Sequence, residues 1–502
     1  MNTLERELKK EAAKTRTANG DVAYSTTYNA NLDFFGSCGA MRGKEAQVVG
    51  MFTKAYYEDT VLALENLLRL RDVRGGLGER ETFRACLKWL SVTNPLLTIK
   101  LLPAVVEYGR WDDILCLLDN KKTVHGVAGF IHKQLEEDWK NYKHGKPVSL
   151  CAKWLPSINA SSKETVRLAR ILVREFKTTE RNYRIVLSTL RKKIDILETH
   201  MSEVDYTFDY SKLPSKALMK HVKAFNRHDL DRYQEYLASL QSGEVKAKTK
   251  VVYPYEIIQM EDGVLREAMW RDLERNEGDT KTIVVRDGSG SMYSRLSAKS
   301  RTTAADVATS LAILFSEQLT GAFKNKFITF SMSPKFVDLS GYNSLKKKLE
   351  ITEKENEVAN TDIFKVYQLI LSAELKCDPK DWIERIVVIS DMQFDNCNGG
   401  RKIVRDRYGR SYYEYSGKWD ESTHDTAKKM FQDAGIPFPQ VVYWNVNSKE
   451  DFPTSDIQDT RFVSGFSQYI VKGILEDRSI SAIDFMVQEL QKYSCVIGAI
   501  AG

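Results

Sequence analysis

The sequence lacks long apolar runs, paired cysteines and clustered histidines. No stretch of its 502 residues approaches the ~20 apolar residues that a membrane-spanning helix requires, and the start, MNTLERELKKEAAK, has no apolar signal core. The seven Cys are scattered without a CxxC pair, and the seven His form no HExxH motif. These absences argue against a membrane segment, a disulfide framework, a zinc site and a metallohydrolase. We therefore expect an intracellular, cytoplasmic protein without membrane contact, and we expect it to be a monomer.

Proline and glycine are also scarce, with 11 Pro and 28 Gly, which argues against long linkers. Apolar residues make up 42% and charged residues 28% of the chain, as in folded proteins rather than disordered ones. At roughly 100–200 residues per domain, this length predicts two to four domains.

Positive charge is concentrated in the first half of the chain. Residues 1–250 carry 42 Lys and Arg against 31 Asp and Glu, whereas residues 251–502 carry 32 against 37. This asymmetry indicates that the first half meets a polyanion and that the second half has another role.

Helical periodicity dominates the first half. From about residue 45 to 240, apolar residues recur at three- and four-residue spacing, as at Val61, Leu64, Leu67 and Leu68, with short polar or Gly/Pro breaks between the segments. The pattern predicts an all-α, HEAT-like helical repeat over residues 31–265, preceded by an N-terminal extension at 1–30.

Strands and helices alternate in the second half. The runs KTIVVRD, KFITF and RIVVIS read as buried strands, and helical segments lie between them. This alternation predicts an α/β, doubly wound, Rossmann-like domain over residues 275–480, followed by a C-terminal tail at 481–502.

The first predicted strand ends in a turn rich in oxygen donors. Asp287, Ser289 and Ser291 alternate on the turn DGSGS, at the strand end where ligands of open α/β sheets bind. Thr361 and Asp391 follow at two later strand-to-helix connections, which makes a cage of five oxygen-bearing residues. Magnesium suits such a cage because it takes oxygen ligands and few carboxylates. The alternative is that these residues form turns and helix caps.

The motif D-x-S-x-S with a later Thr and Asp resembles the metal-ion-dependent adhesion site of the von Willebrand factor A domain family. The resemblance covers about residues 275–480. It implies a divalent cation, Mg²⁺ by preference, held by Asp287, Ser289, Ser291, Thr361 and Asp391. It also implies that an incoming carboxylate or phosphate oxygen, such as a carboxylate of a protein ligand, completes the cation's shell. It implies no hydrolysis, so we expect a protein that is not an enzyme.

An insertion at 395–420 follows the Asp391 strand and mixes basic and aromatic residues. Such a segment can grip phosphates and stack bases, and it can equally be a solvated surface hairpin. Its candidate accessory contacts are Arg401, Lys402, Arg405, Arg407 and Tyr408.

The densest positive charge lies between residues 163 and 193, where ten residues are Lys or Arg and three are acidic. From 163 to 177 the cations are spaced as one stripe of a helix, beside an apolar stripe. Such a row can track a phosphodiester backbone, although many charged faces are simply solvated. The candidate contacts to such a backbone are Arg167, Arg170, Arg174, Lys177, Arg181 and Arg184.

Two further segments, RDVRGGLGER at 71–80 and YGRWDD at 108–113, resemble motifs of the TROVE module of the Ro autoantigen family. The segments at 152–164 and 213–229 look like those of an uncharacterised TROVE-like branch. Members of the Ro family carry a ring of helical repeats followed by a von Willebrand A domain, so the resemblance implies a ring or an arc. It also implies binding of small noncoding or defective RNA with single-stranded ends.

Two functions follow from the sequence. The first is a nonenzymatic, Ro-like RNA-binding protein whose basic helical scaffold holds RNA, with the metal-site domain closing or regulating it. The alternative is a metal-dependent protein–protein interaction module in a larger assembly. RNA binding that falls steeply with salt distinguishes the first from the second.

Overall fold

The computed structural model shows two compact units, each assembled from three segments of the chain. It describes residues 3–276, 278, 281–298, 300–331, 333–358, 361–395, 397, 400–405, 411–416, 421–447 and 451–501. The sheet unit comprises Met1–Asn66, Tyr253–Gln259 and Leu273–Lys492. The helical unit comprises Leu67–Val252, Met260–Asp272 and Tyr493–Gly502.

Helices account for most of the regular structure. In chain order they are α1 (Thr3–Ala13), α2 (Ala30–Ser37), α3 (Glu45–Glu58), α4 (Thr60–Arg71), α5 (Glu81–Thr93), α6 (Pro95–Tyr108), α7 (Val124–Lys143), α8 (Cys151–Trp154), α9 (Lys163–Glu175), α10 (Glu180–Ile194), α11 (Leu197–Ser202), α12 (Ser215–His228), α13 (Leu230–Ser242), α14 (Pro254–Ile258), α15 (Gly263–Arg271), α16 (Ala304–Gln318), α17 (Leu345–Lys354), α18 (Phe364–Glu374), α19 (Thr423–Asp433), α20 (Tyr469–Glu476) and α21 (Ala482–Ala501). None of these described helices is long and apolar enough to cross a bilayer.

Ten strands form three sheets among the described residues. In chain order they are β1 (Lys14–Arg16), β2 (Val22–Tyr24), β3 (Thr282–Asp287), β4 (Lys326–Phe330), β5 (Lys335–Asp338), β6 (Arg385–Ser390), β7 (Gly400–Arg405), β8 (Ser411–Ser416), β9 (Gln440–Asn445) and β10 (Thr460–Ser464). The fold class is thus an α region together with an α/β region in one multidomain chain, as the sequence predicts.

The largest sheet has the strand order β10-β9-β6-β3-β4-β5. All neighbours are parallel except β4 and β5, which are antiparallel. Strands β3 and β6 are buried along their whole length, which explains their continuous apolar runs. The chain adds strands on one side of β3 and then on the other, so the gap between β3 and β6 is the point where such sheets bind ligands.

The N-terminal segment is part of the sheet unit. The sequence predicts an extension at residues 1–30 and a helical repeat from residue 31, whereas in the structure α2 packs against β10 in the sheet unit. Tyr24 and Phe452 exchange backbone hydrogen bonds of 2.8 Å in both directions. A side chain at Gly36 would approach Phe462 Cβ to 2.9 Å, so glycine allows this close packing.

Amphipathic helices build the core of the helical unit. Helix α9 begins after Ser162, whose hydroxyl accepts a hydrogen bond from the Thr165 amide at 3.3 Å. Its apolar stripe, with Ala169 and Leu172 fully buried, faces the interior and leaves the basic stripe on the surface. Helix α9 ends at Glu175, so Lys177 lies in the following turn and not on the helical stripe that the spacing predicts.

Candidate metal centre and basic surface

Three of the predicted metal ligands share one tight turn after β3. The Ser289 amide donates a hydrogen bond to Asp287 Oδ1 at 2.8 Å, and the hydroxyl oxygens of Ser289 and Ser291 lie 3.1 Å apart. Asp287 and Ser289 are buried, whereas Ser291 is exposed. The turn therefore directs a buried carboxylate and two hydroxyls into one small volume with access to solvent.

The Asn356 side chain lies over this turn and explains the glycine at its second position. A Cβ at Gly288 would lie 2.0 Å from Asn356 Oδ1. That oxygen accepts a hydrogen bond of 2.9 Å from the buried Arg286 guanidinium, and the Asn356 amide donates to the Tyr293 hydroxyl at 2.8 Å. The site therefore requires glycine at 288 because Asn356 occupies the space of a side chain.

Asp391 begins the loop after β6, on the other side of the sheet's switch point. Burial and the neighbouring Asp391 carboxylate raise the pKa of Asp287 above its ordinary value. The Ser390 hydroxyl donates a hydrogen bond of 2.5 Å to Asp287 Oδ2, and the Gln393 amide donates to Asp391 Oδ1 at 3.2 Å. The loop thus places the buried carboxylate of Asp391 close enough to that of Asp287 for the two charges to repel each other.

Thr361 is attached to the same loop from a third connection. Its amide donates a hydrogen bond to Asp395 Oδ2 at 3.0 Å, and its carbonyl accepts from the Asp395 amide at 2.8 Å. The side-chain amide of Asn19 donates to Thr361 Oγ1 at 3.3 Å and to the Gln393 carbonyl at 2.6 Å. The N-terminal segment therefore fixes Thr361 relative to the loop that carries Asp391.

This donor set fits a hard divalent cation. Two buried carboxylates repel each other unless a positive charge or a proton lies between them, and the neighbouring hydroxyls are ligands that Mg²⁺ accepts. At the end of β4, beside β3, the buried Ser331 hydroxyl has no hydrogen-bond partner within the described ranges. Within the described residues, no three or more His, Cys, Asp or Glu are grouped so that they could hold a metal ion, so a cation at this site would need hydroxyl oxygens as well.

Two side chains of this site, Ser390 and Asn19, were not predicted. Ser390 is the last residue of the strand RIVVIS, and its position beside Asp391 is the signal that could have identified it. Asn19 carries no such signal, because 342 residues separate it from Thr361 in the chain.

The six candidate RNA contacts, hereafter the basic surface, lie in the helical unit. They are Arg167, Arg170, Arg174, Lys177, Arg181 and Arg184. Three of them, together with Lys163, line an open recess of about 550 Å³ beside α9. All six side chains are exposed to solvent.

Three arginines of the basic surface also contact acids. Arg167 lies 2.6 Å from both Asp119 and Glu164, and its hydrogen bonds lower the pKa of each of these carboxyl groups. Arg170 pairs with Glu180 at 3.0 Å, and Arg174 pairs with the adjacent glutamate at 3.2 Å. The side chains of Arg170 and Arg174 remain 65% and 71% exposed, so these pairs are weak surface contacts.

The other three cations have no ion-pair partner within 4.0 Å in the part of the chain that the structure describes: Lys177, Arg181 and Arg184. Lys177 has a φ of 51°, in the left-handed region, and it turns the chain from α9 into α10. Arg181 and Arg184 are three residues apart on α10 and so share one face. A different cation of this segment, Arg191, is structural, because it donates hydrogen bonds to the carbonyls of Ala152 and Leu155.

The segments at 71–80 and 108–113 meet in a buried ion-pair network. Asp113, fully buried, accepts hydrogen bonds from Arg71 Nε at 2.7 Å and from Arg84 Nε at 2.9 Å. In the glycine turn between α4 and α5, a Cβ at Gly76 would lie 2.3 Å from a carbonyl oxygen, and Gly78 has a φ of +66°. These segments therefore act in folding the helical unit, and the turn joins helices rather than cradling a phosphate.

The insertion after β6 is described only in part. Strands β7 and β8 pair antiparallel, with Arg401 opposite Tyr415 and Lys402 opposite Glu414, and Arg405 ends β7. Arg407 and Tyr408 lie outside the described residues.

Comparison with known proteins identifies the family. Residues 17–123 and 119–300 match the family described as "Domain of unknown function (DUF2828)", which together is more than half of the chain. The chain belongs to the DUF2828 family. Residues 281–494 are similar to a second family, described as "Domain of unknown function (DUF7788)". The turn with Asp287, Ser289 and Ser291 falls within both matches.

A viral relative extends over nearly the whole chain. This DUF2828 protein is 28% identical to "Uncharacterized protein L728" of Acanthamoeba polyphaga mimivirus, over 95% of the chain and 87% of the relative. The similarity therefore includes both units and both candidate sites.

Proposed function

We propose that this DUF2828 protein is a nonenzymatic RNA-binding protein that holds RNA on the basic surface of its helical unit. The observation that carries the proposal is the combination of three exposed cations without an acidic partner in the described residues and a recess lined by four more. Phosphates are the ligands that such a surface attracts without regard to sequence.

The acid contacts of Arg167, Arg170 and Arg174 do not block this role. Exposed ion pairs are worth about 0–1 kcal/mol. Arg170 and Arg174 donate only part of their N–H groups to acids, whereas Arg167 would have to exchange an acid for a phosphate. A phosphate can therefore replace or share an acid at small cost. The preference of arginine for bidentate contact with phosphate supports RNA over a carboxylate ligand at this surface.

The test is a filter-binding titration of short single-stranded RNA at several salt concentrations. Replacing Lys177, Arg181 and Arg184 by Glu should weaken binding and reduce the slope of log K against log salt by about 2, since each lost contact to a single strand accounts for about 0.7. The matched control replaces three exposed lysines of the sheet unit by Glu, namely Lys324, Lys354 and Lys376. Both triple variants lower the net charge equally, so an equal effect of the control would contradict the proposal.

The sheet unit supports a second proposal, a Mg²⁺ site of the von Willebrand A type. Its strand order and the position of Asp287 and Asp391 at the switch point agree with that resemblance. Asp287, Ser289, Ser291, Thr361 and Asp391 would hold the cation, and the cation when bound would offer an open position to a carboxylate. Titration calorimetry with MgCl₂ should lose its signal in Asp287→Asn and keep it in Asp338→Asn, an exposed carboxylate on the same sheet.

The acid and hydroxyl cluster also favours the alternative function, a metal-dependent protein-interaction module. In that case nuclease-treated pull-downs should lose a protein partner when Mg²⁺ is chelated or when Asp391 becomes Asn. A protein partner that is still captured after chelation and by Asp391→Asn would contradict this alternative. The RNA-binding proposal does not depend on the result of this pull-down.

A further inference from the structure

A small aromatic cavity lies beside the basic surface in the helical unit. Its volume is about 200 Å³, and it lies between α7, α10 and the turn that precedes α10. His132, Glu136 and Trp139 line it from one face of α7, where they follow helical spacing, and Phe176 lines it from the turn. Pockets for drug-sized ligands measure about 300–1,000 Å³, so this cavity suits one planar ring system.

Aromatic side chains form the walls of the cavity. The ring centroids of His132 and Phe176 lie 4.9 Å apart at 44°, and those of Phe176 and Tyr183 lie 6.2 Å apart at 42°. Tyr183 is held in place, because its hydroxyl donates a hydrogen bond of 2.9 Å to the Pro156 carbonyl. Trp139 is half-buried and presents a further aromatic face.

Polar groups occupy the rim. Thr178 and Asn182 line the cavity with a hydroxyl and a side-chain amide that have no hydrogen-bond partner in the described part of the chain. Glu136 is the acid among the lining residues, and its carboxylate lies 3.6 Å from His132 Nδ1. Such donors and acceptors can bind the edge of a nucleobase.

A cation without an acidic partner in the described ranges, Lys177, adjoins this cavity. It lies in the turn between the lining residues Phe176 and Thr178, whereas Arg181 lies on the face of α10 opposite the lining residues Asn182 and Tyr183. A backbone phosphate held by Lys177 would place its base within reach of the aromatic walls. Charge next to stacking surfaces is the arrangement that binds single-stranded nucleic acid.

We propose that this cavity binds one unstacked nucleobase of single-stranded RNA, with Trp139 and Phe176 as stacking surfaces and Lys177 on the adjoining phosphate. The inference rests on the proposed RNA-binding function and specifies its ligand. A duplex would not fit, because its bases are stacked and paired and cannot enter the cavity.

The test compares the full chain on two probes, a short oligouridylate and the same oligonucleotide without bases. We expect the base-containing probe to bind roughly five- to 150-fold more tightly, at the same salt slope. Phe176→Leu, which keeps apolar volume, should abolish that preference and leave binding of the abasic probe unchanged. Trp139→Leu serves as a second variant, and Tyr57→Leu, an exposed aromatic of the sheet unit, is the matched control.

The outcomes separate the two proposals. If neither probe binds with salt dependence, the RNA-binding function fails. If both probes bind equally, or if the preference persists in Phe176→Leu and Trp139→Leu with unchanged melting temperatures, the base site is refuted and phosphate binding stands. Photo-crosslinking of a 4-thiouridine probe to peptides that contain Trp139 or Phe176 would support it, whereas crosslinks confined to other segments would refute it.

Discussion

The turn between α9 and α10 provides a test in which stability and RNA binding change in opposite directions. Lys177 has a φ of 51°, a conformation that costs a non-glycine residue roughly 1–2 kcal/mol. Glycine relieves this strain, but its greater conformational freedom stabilises the unfolded chain by roughly 0.5–1 kcal/mol. Lys177→Gly should therefore stabilise the folded chain by about 0.5–1 kcal/mol.

The same substitution removes an exposed cation of the basic surface. RNA binding should weaken, and the slope of log K against log salt should fall by about 0.7, the contribution of one phosphate contact to a single strand. Filter binding at several salt concentrations measures the slope, and thermal unfolding followed by circular dichroism measures the stability. Lys177→Gln, which loses the charge and keeps the strain, should show the binding defect without the stabilisation.

Val204 provides the matched control. It also lies in the helical unit with a φ of 56°, and it is 72% exposed and uncharged. Val204→Gly should stabilise the chain by at least as much and leave RNA binding unchanged. The reasoning would be refuted by an unchanged salt slope in Lys177→Gly, or by a binding defect in Val204→Gly of the same size.

Three further predictions concern two buried carboxylates, Asp113 and Asp21, and the side chain of Asn19. Asp113→Asn should destabilise the chain by about 3–5 kcal/mol in urea unfolding, because it leaves the buried guanidinium of Arg71 without its carboxylate partner; a loss below about 1 kcal/mol would contradict this. Asn19→Ala should weaken Mg²⁺ binding in calorimetry and leave RNA binding unchanged, since Asn19 holds Thr361 in place. Burial raises the pKa of Asp21 from 3.8 to about 8, so its contribution to stability is complete below about pH 4 and is lost as the pH rises toward 8. Asp21→Asn should thus stabilise the chain at pH 8 and have little effect at pH 4, and equal effects at both pH values would refute the assignment.

Local pattern was sufficient for most elements of the sheet. The strands Lys326–Phe330 and Arg385–Ser390 have the bounds that their β-branched, apolar runs predict. Strand β10 was not predicted, and its second residue is Arg461, a residue type that is usually exposed. The structure buries it completely, with Arg461 Nε 2.9 Å from Asp477 Oδ2. Local pattern does not predict that a charged residue of a strand is buried when the acid that pairs with it lies elsewhere in the chain.

The sequence by itself determined the α and α/β composition, the five oxygen-bearing residues at strand ends and the density of cations between 163 and 193. These properties depend on periodicity and on residue type, which are local. The tertiary structure alone decided that residues 1–66 belong with the sheet, that Asn19 binds Thr361, and that half of the basic surface contacts acids. Each of these depends on contacts between distant segments, and local pattern carries no information about which distant groups will meet.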